Sequence, residues 1–484
     1  MTDRTKQYVF DLVDINTKPR SFQDLKAATD PLPYFAGCYK RSLFYFYFHF
    51  KINMDTITRA KQSLRICYEL KSEQLTALRA FIEGRDIVCL LPTGFGKSVI
   101  FQMMPFLSED PMACVIVISP LNAIMKDQVR KLCENGIPAC FLDITGRDGS
   151  TFKLKHVVDR DPVYILAGDV DEHDYSSNDD IDEDTGQLHI KVSKEEVAAG
   201  KFRLIYAHPE AFLSSKDGRK ILQSKALQDH ICGICIDEAH MIHEWGEDFR
   251  KDFSRIQELL AIFPKVPVSL FTATASKSTK EKLVKNLGLK NPLFITKNPD
   301  RPNIKYHKYE RLSSIKQEND LDKILGEIAS GLLKDRKHYP LTFIYTDLES
   351  IRYGYRFLEK LSKSEPVIRV VLATVALGIG MHAPAVRKVI HFKCPTSIEK
   401  YLQETGRAER DGLPADAILY VNKTDVRKNR PGMQNSMRQY CTSTDTCLRL
   451  QLLQHLDYKP EEGNKNCKCC SVCDILCNCT DCEL

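Results

Sequence analysis

DIVCLLPTGFGKSVIFQ, residues 86–102, is the stretch on which the fold turns. Its first part is a short unbroken apolar run closed by Pro92, the pattern of a strand buried on both faces. A loop carrying Gly94 and Gly96 follows, and GKS then opens a helical pattern. Strand, glycine loop and helix in that order aim backbone N–H groups at one point, where phosphate oxygens can sit. Lys97 is placed to reach the outer phosphates of a nucleotide and Ser98 to ligate Mg2+, while Thr93, Gly94 and Gly96 line the loop. The strict phosphate-loop pattern has glycine where this chain has Leu91.

Further along, CVIVIS, RLIYA, CGICI and VSLFT repeat the buried-strand pattern as far as Thr274. Between them lie helical patterns such as LNAIMKDQVRKL, in which Leu121, Ile124, Met125, Val129 and Leu132 share one face. This alternation predicts an α/β fold, a parallel sheet with helices on both sides. A second set of strands, LTFIYT (341–346), IRVVLAT (368–374), RKVIHF (387–392) and DAILYV (416–421), predicts another, smaller α/β domain, and two such domains in succession enclose a cleft. Residues 169–184, DVDEHDYSSNDDIDED, carry nine acids and no Lys or Arg, so the region from about 145 to 195 reads as a solvated loop. The formal charge of +5 therefore leaves +14 on the remainder, a balance suited to a polyanionic partner.

The 484 residues suggest about three domains. Residues 1–53 read as a leader of uncertain structure, with Met54 a natural alternative start; residues 54–297 and 298–424 as the two α/β domains; and residues 425–484 as a terminal metal-binding domain. The N-terminus lacks a secretion signal, and RSLFYFYFHF (41–50) is too short to span a bilayer as a helix. Nine of the 18 cysteines fall between Cys441 and Cys482. In a soluble intracellular protein, which this reads as, such a cluster points to metal ligation and not to disulfides. Cys467, Cys470 and Cys473 have the spacing of one set of three ligands, and Cys470, Cys473 and Cys477 of another; either can surround a tetrahedral Zn2+ with a fourth thiolate.

The strand ending in ICIDEAH delivers Asp237 and Glu238 to its tip, the first suited to holding Mg2+ and the second to polarising an attacking water. Together with SPLNAIMKDQ (119–128), YAHPEAFL (206–213), FTATAS (271–276), ATVALGIGMHAPAVRKVIH (373–391) and YLQETGRAERDG (401–412), this stretch occurs in the order seen in RecQ-like DNA helicases, and the chain resembles that family over most of 54–482. The resemblance implies two tandem RecA-like domains followed by a small helical zinc-binding domain. It implies an ATP-dependent, 3′ to 5′ DNA helicase acting on single-stranded and partly duplex DNA in the nucleus, with no membrane and with ATP, Mg2+ and Zn2+ as its requirements.

Residue roles follow from the same resemblance. Trp245, Phe249 and Arg250, in the WGEDFR segment after DEAH, match a loop that senses single-stranded DNA, with His240 coupling it to the nucleotide site; indole and phenyl faces stack on bases. Glu244 and Glu247 depart from the family loop. Arg407 and Arg410 match arginines that face the γ-phosphate across the cleft, with Glu409 standing where the family usually has glycine. Gln74 in LKSEQ matches an adenine reader, Lys71 replacing the usual arginine, and His382 stands where many relatives have aspartate. Cys447 matches the zinc ligand of the first terminal helix. Against the family pattern, the sequence between Leu361 and Arg369 is expected to lack one β-α unit, and no winged-helix module is expected after Cys482 in this sequence. Two other readings remain at this point, an RNA helicase of the DEAH type and a degenerate, non-catalytic nucleic-acid-binding protein.

Overall fold

The computed structural model describes residues 54–120, 122–145, 151–158, 188–242, 255–311, 317–346, 369–373, 386–408, 412–460 and 469–476. The chain divides into two units, residues 1–67 and 68–484. The described part of the first holds a helix over residues 54–63. The second unit contains two sheets.

The first sheet comprises β1 (Ile87–Leu90), β2 (Cys114–Ile118), β3 (Ala139–Thr145), β4 (Thr151–Val158), β5 (Leu188–Lys191), β6 (Leu204–Ala207), β7 (Ile231–Ile236), β8 (Val268–Thr272) and β9 (Leu293–Thr296). Its order is β5-β4-β3-β6-β2-β7-β8-β1-β9. From β3 to β9 the neighbours are parallel, while β4 and β5 add an antiparallel extension at one edge. Strands β1, β2 and β6 are buried at every residue, as apolar runs covered on both faces must be. Helix α1 (Ser72–Ile82) packs so closely that a Cβ on Gly233 of β7 would meet Phe81 at 2.7 Å. Helix α2 (Lys97–Met103) follows the glycine loop, and α3 (Asn122–Glu134) buries Met125, Val129 and Leu132 as its periodicity requires; Leu121 lies outside the described residues.

One expectation is corrected here. Strands β4 and β5, and a helix from Lys194 to Ala198, occupy parts of the region read as a solvated loop. The sequence TFKLKHVV alternates apolar and polar residues, the period of a strand, but the acids that follow dominate the local composition. Residues 159–187, with the acidic run, lie outside the described residues.

The second sheet is wholly parallel, in the order β10-β14-β13-β11-β12, from β10 (Ile304–Glu310), β11 (Leu341–Tyr345), β12 (Val370–Ala373), β13 (Val386–His391) and β14 (Ala415–Val421). Period-two alternation separates its faces: Ile344 and Ile390 pack toward α4 (Gln317–Asp335), while Phe343, Tyr345 and Val389 face the other way. That other face is covered by α5 (Ile398–Thr405) and by the cysteine-rich terminal segment: α6 (Asn435–Thr442), α7 (Leu448–His455) and α8 (Ser471–Leu476). Met437, Tyr440, Leu448, Leu452 and Cys470 share one buried cluster with Ile304, Tyr306 and Tyr401, so the terminal segment is packed onto the second lobe as part of its core. Among the described residues, no helix is long and apolar enough to cross a membrane.

Candidate functional site

The glycine loop is built by its neighbours. The Leu91 N–H donates to Thr272 O of β8, ending β1, and Gly94 and Gly96 then take φ values of 79° and 92°, which let the loop turn into α2. Lys97 Nζ donates to Leu91 O at 3.1 Å, across the mouth of the loop, and Gln128 Nε2 of α3 donates to Ser98 Oγ at 3.2 Å. Gln74 is buried with both ends of its amide engaged: Oε1 accepts from Lys71 N at 2.9 Å, and Nε2 donates to Gly96 O at 3.1 Å and Phe95 O at 3.4 Å. Lys71 Nζ lies 4.1 Å from the centroid of the Phe95 ring. The LKSEQ segment thus holds the phosphate loop from behind.

Strand β7 brings Asp237 and Glu238 beside that loop. The Asp237 N–H donates to Ile118 O of β2, and Ala239 N–H to Phe271 O of β8, so the acidic turn is hung between two neighbouring strands. Burial and the neighbouring Glu238 charge push the Asp237 carboxyl up to about 7, against the opposing pull of Lys97. Glu238 has a φ of 48°, a left-handed conformation unusual for a side chain of its size, and its buried Oε2 accepts no hydrogen bond. Glu238 Oε2 has His240 Nδ1 at 3.4 Å, and the Asp237 carboxylate and Ser98 hydroxyl are hard oxygen donors of the kind that fits Mg2+, the residues that would hold it.

His240 joins this turn to the FTATAS segment. Its Nδ1 lies 3.0 Å from Thr272 Oγ1, whose single proton is committed to Thr274 O at 3.1 Å, so the imidazole Nδ1–H is the donor. Trp245, Phe249 and Arg250, with Glu244 and Glu247, lie outside the described residues.

The second lobe meets the loop through the segment after α5. A Cβ on Gly406 would lie 3.7 Å from Thr93 Oγ1, and Thr93, Thr274, Arg301, Tyr306 and Gly406 line one recess between the sheets. Arg407, next in the chain, is buried; Arg410, Glu409 and His382 lie outside the described residues. Behind Arg407, the Glu404 carboxylate and His391 Nε2 form a buried contact of 2.7 Å, with His391 stacked on Tyr345.

The metal centre is built on the N-termini of α7 and α8. Cys447, Cys469, Cys470 and Cys473 place their sulfur atoms within 4.8 Å of one another, with separations of 3.4 Å (447 to 469), 3.7 Å (469 to 473) and 4.0 Å (447 to 470). Four thiolates around Zn2+ at about 2.3 Å stand about 3.8 Å apart, so the set fits a tetrahedral zinc. Backbone N–H groups of Leu448 and Cys473 each donate to Cys470 Sγ at 3.4 Å, and the neighbouring Cys447 and Cys469 sulfur groups together with these N–H groups hold the Cys470 thiol well below its ordinary value. Cys467 and Cys477 lie outside the described residues. Cys469 is a candidate ligand that the spacing did not single out: it is adjacent to Cys470, and the turn into α8 brings both sulfur atoms to one centre.

The DEAD/DEAH box helicase model matches residues 71–173 and 173–283, the helicase conserved C-terminal domain residues 316–412, and the RecQ zinc-binding domain residues 409–474. An ATP-dependent DNA helicase RecQ of Haemophilus influenzae is 30% identical over 426 residues, 83% of this chain and 60% of that protein. A putative ATP-dependent DNA helicase Q1 of Caenorhabditis elegans is 29% identical, covering 82% of this chain and 61% of that protein. The chain thus spans about three fifths of the length of these relatives. Among solved structures, Saccharomyces cerevisiae Dbp5 bound to RNA aligns with a TM-score of 0.53 at 15% identity, covering 80% of this chain and 91% of that one, and the helicase MrfA bound to DNA with 0.52 at 17%, covering 75% and 51%; both share the fold. Two RecA-like lobes, an acidic pair beside a phosphate loop and a four-cysteine knuckle are matched in that order by the three domain models, so the chain carries DEAD/DEAH-box helicase, helicase C-terminal and RecQ zinc-binding domains and is similar over most of its length to RecQ helicases.

Proposed function

We propose that this chain is a DNA-dependent ATPase that couples ATP hydrolysis at the seam of its two lobes to 3′ to 5′ movement along single-stranded DNA and opening of duplex DNA. The observation that carries this reading is the meeting of Thr93 and Gly406, which brings the phosphate loop and the arginine-bearing segment of the second lobe to one recess.

Each lobe contributes a distinct task. Lys97 and the loop N–H groups bind the β- and γ-phosphates, and Glu238 orients the attacking water. Asp237 and Ser98 would hold Mg2+, which when bound would supply charge compensation at the phosphates. Arg407, with Arg410, approaches the γ-phosphate as the lobes close and stabilises charge at the transferred phosphoryl group. Trp245, Phe249 and Arg250 follow the acidic turn directly in sequence, so a strand stacked on them shifts the turn through His240 and gates hydrolysis. The domain limits proposed are 54–297, 298–424 and 425–484, and the nuclear location follows from the resemblance to eukaryotic relatives.

The deciding measurement is ATP turnover by the purified chain with single-stranded DNA, single-stranded RNA or neither. DNA should stimulate turnover and RNA should not, and Lys97→Ala should abolish turnover. Equal stimulation by RNA assigns the chain to RNA remodelling, a reading that the RNA-bound Dbp5 fold leaves open. Tight DNA binding with no turnover in the wild type makes it a non-catalytic binder.

A further inference from the structure

We infer that the zinc-binding segment is a positioning element for the nucleotide site: through Arg449 and Asp300 it fixes the strap between the lobes that carries Arg301 onto the phosphate loop. The inference rests on the reading of residues 91–98 as the nucleotide loop.

The strap joins β9 to β10 and so passes from the first sheet to the second. Its two charged neighbours point to different elements. Arg301 Nη2 donates to Thr93 O at 2.7 Å, at the tip of the phosphate loop. Asp300 takes both arms of the Arg449 guanidinium, Nε at 2.7 Å and Nη2 at 2.5 Å. Arg449 lies on α7, two residues after the zinc ligand Cys447, which is the N-cap of that helix. The side chains of this pair are 1% and 5% exposed, so water does not compete for it. A second tie lies close by: the Tyr306 N–H of β10 donates to Cys469 O at 3.2 Å, and Tyr306 lines the recess that Arg301 enters.

A buried ion pair is a poor way merely to glue two elements, because desolvation of both charges offsets most of their attraction; apolar side chains of similar volume do as well. A two-armed guanidinium-carboxylate pair instead fixes direction, since both hydrogen bonds are met at only one relative orientation. Asp300 is held in that orientation by a helix whose first turn is pinned by the metal. The next residue, Arg301, is thereby aimed at a carbonyl of the loop that must present its N–H groups to phosphate. Zinc ligation and nucleotide affinity are thus linked through four side chains, Cys447, Arg449, Asp300 and Arg301.

The test is the affinity of the full chain for a fluorescent ADP with Mg2+, measured beside zinc content per chain. Arg449→Gln and Asp300→Asn should each weaken binding about tenfold, the loss of one well-aimed charge-assisted hydrogen bond, with zinc retained. The double variant should be no weaker than either single one, and Arg301→Gln should be at least as weak. Lys305→Gln, which removes the outward ion pair with Asp474 of α8, should bind as the wild type does. If Arg449→Gln fails to hold zinc or to fold, Arg449→Lys at full zinc content decides, with an expected loss of several-fold. Affinities within twofold of wild type at full zinc, or losses for Asp300→Asn and Arg449→Gln that multiply, overturn the inference alone. A wild-type chain that binds no nucleotide overturns it together with the proposed function.

Discussion

Glu238 combines three features seldom found together in a structural acid: a left-handed backbone, a buried carboxylate oxygen without a hydrogen-bond donor, and an acidic neighbour pushed up to about 7. The closeness of the two carboxyls is costly to the free protein, and a cation in the cleft would relieve it. Glu238→Gln should therefore bind ATP at least as tightly as wild type while turnover falls about a hundredfold or more; equal turnover in the two proteins would remove Glu238 from the chemistry. Gly96 makes a second residue-level case. Its φ of 92° and a Cβ position 2.7 Å from Gln74 Nε2 leave no room for a side chain. Gly96→Ala should cost about 1–3 kcal/mol locally and weaken nucleotide binding, with thermal unfolding separating loss of fold from loss of the loop. The placing of Lys97, Asp237 and Glu238 around one loop was legible because strand, glycine and charge stand next to one another in the sequence. The place of Gln74 was less so: its resemblance pointed to adenine, while its amide is engaged by Lys71, Phe95 and Gly96, contacts that only the packing of α1 reveals.

Among the elements, strands with unbroken apolar runs announced themselves: β1, β2, β6, β8, β11 and β12 fall within runs read from the sequence, and β7, β13 and β14 begin one residue before theirs. Those missed have ordinary reasons. β10, IKYHKYE, is basic and aromatic because one side packs on the cysteine knuckle and the other meets solvent, so its apolar signal is diluted. β9 is an edge strand whose Leu293, Phe294 and Thr296 are only partly covered. In the knuckle, spacing favours Cys467 or Cys477 beside Cys470 and Cys473, while the described residues bring Cys469 into the group. This yields a discriminating prediction. Cys447→Ser, Cys470→Ser and Cys473→Ser should each lose zinc and lower Tm, since a structural zinc contributes directly to folding. Cys469→Ser should behave as they do. Retention of one zinc per chain in Cys469→Ser, with its loss in Cys467→Ser, would return the fourth position to the spacing pattern.

At the level of the molecule, the two sheets differ in what they can transmit. The first has parallel strands on both sides of the acidic turn, β2 on one and β8 on the other, so a shift at Asp237 is resisted from two directions. In the second, β12 is the outer strand beside β11 among the described residues, and residues 347–368, between the two in sequence, lie outside them. On the proposal that a β-α unit of the family is missing there, the surface that would track DNA in the second lobe is reduced, while the surface that meets the phosphate loop, from α5 to Arg407, is retained. On the same proposal, hydrolysis and movement would depend on different parts of that lobe and should separate. The chain should show DNA-stimulated ATP turnover yet open a partial duplex with a 3′ single-stranded tail poorly, releasing few strands per ATP consumed when compared with the Haemophilus influenzae relative under the same conditions. Processive unwinding by this chain alone, at a yield per ATP matching that relative, would show that the shortened lobe still steps, and that the contacts attributed to the missing unit are supplied from elsewhere in the molecule.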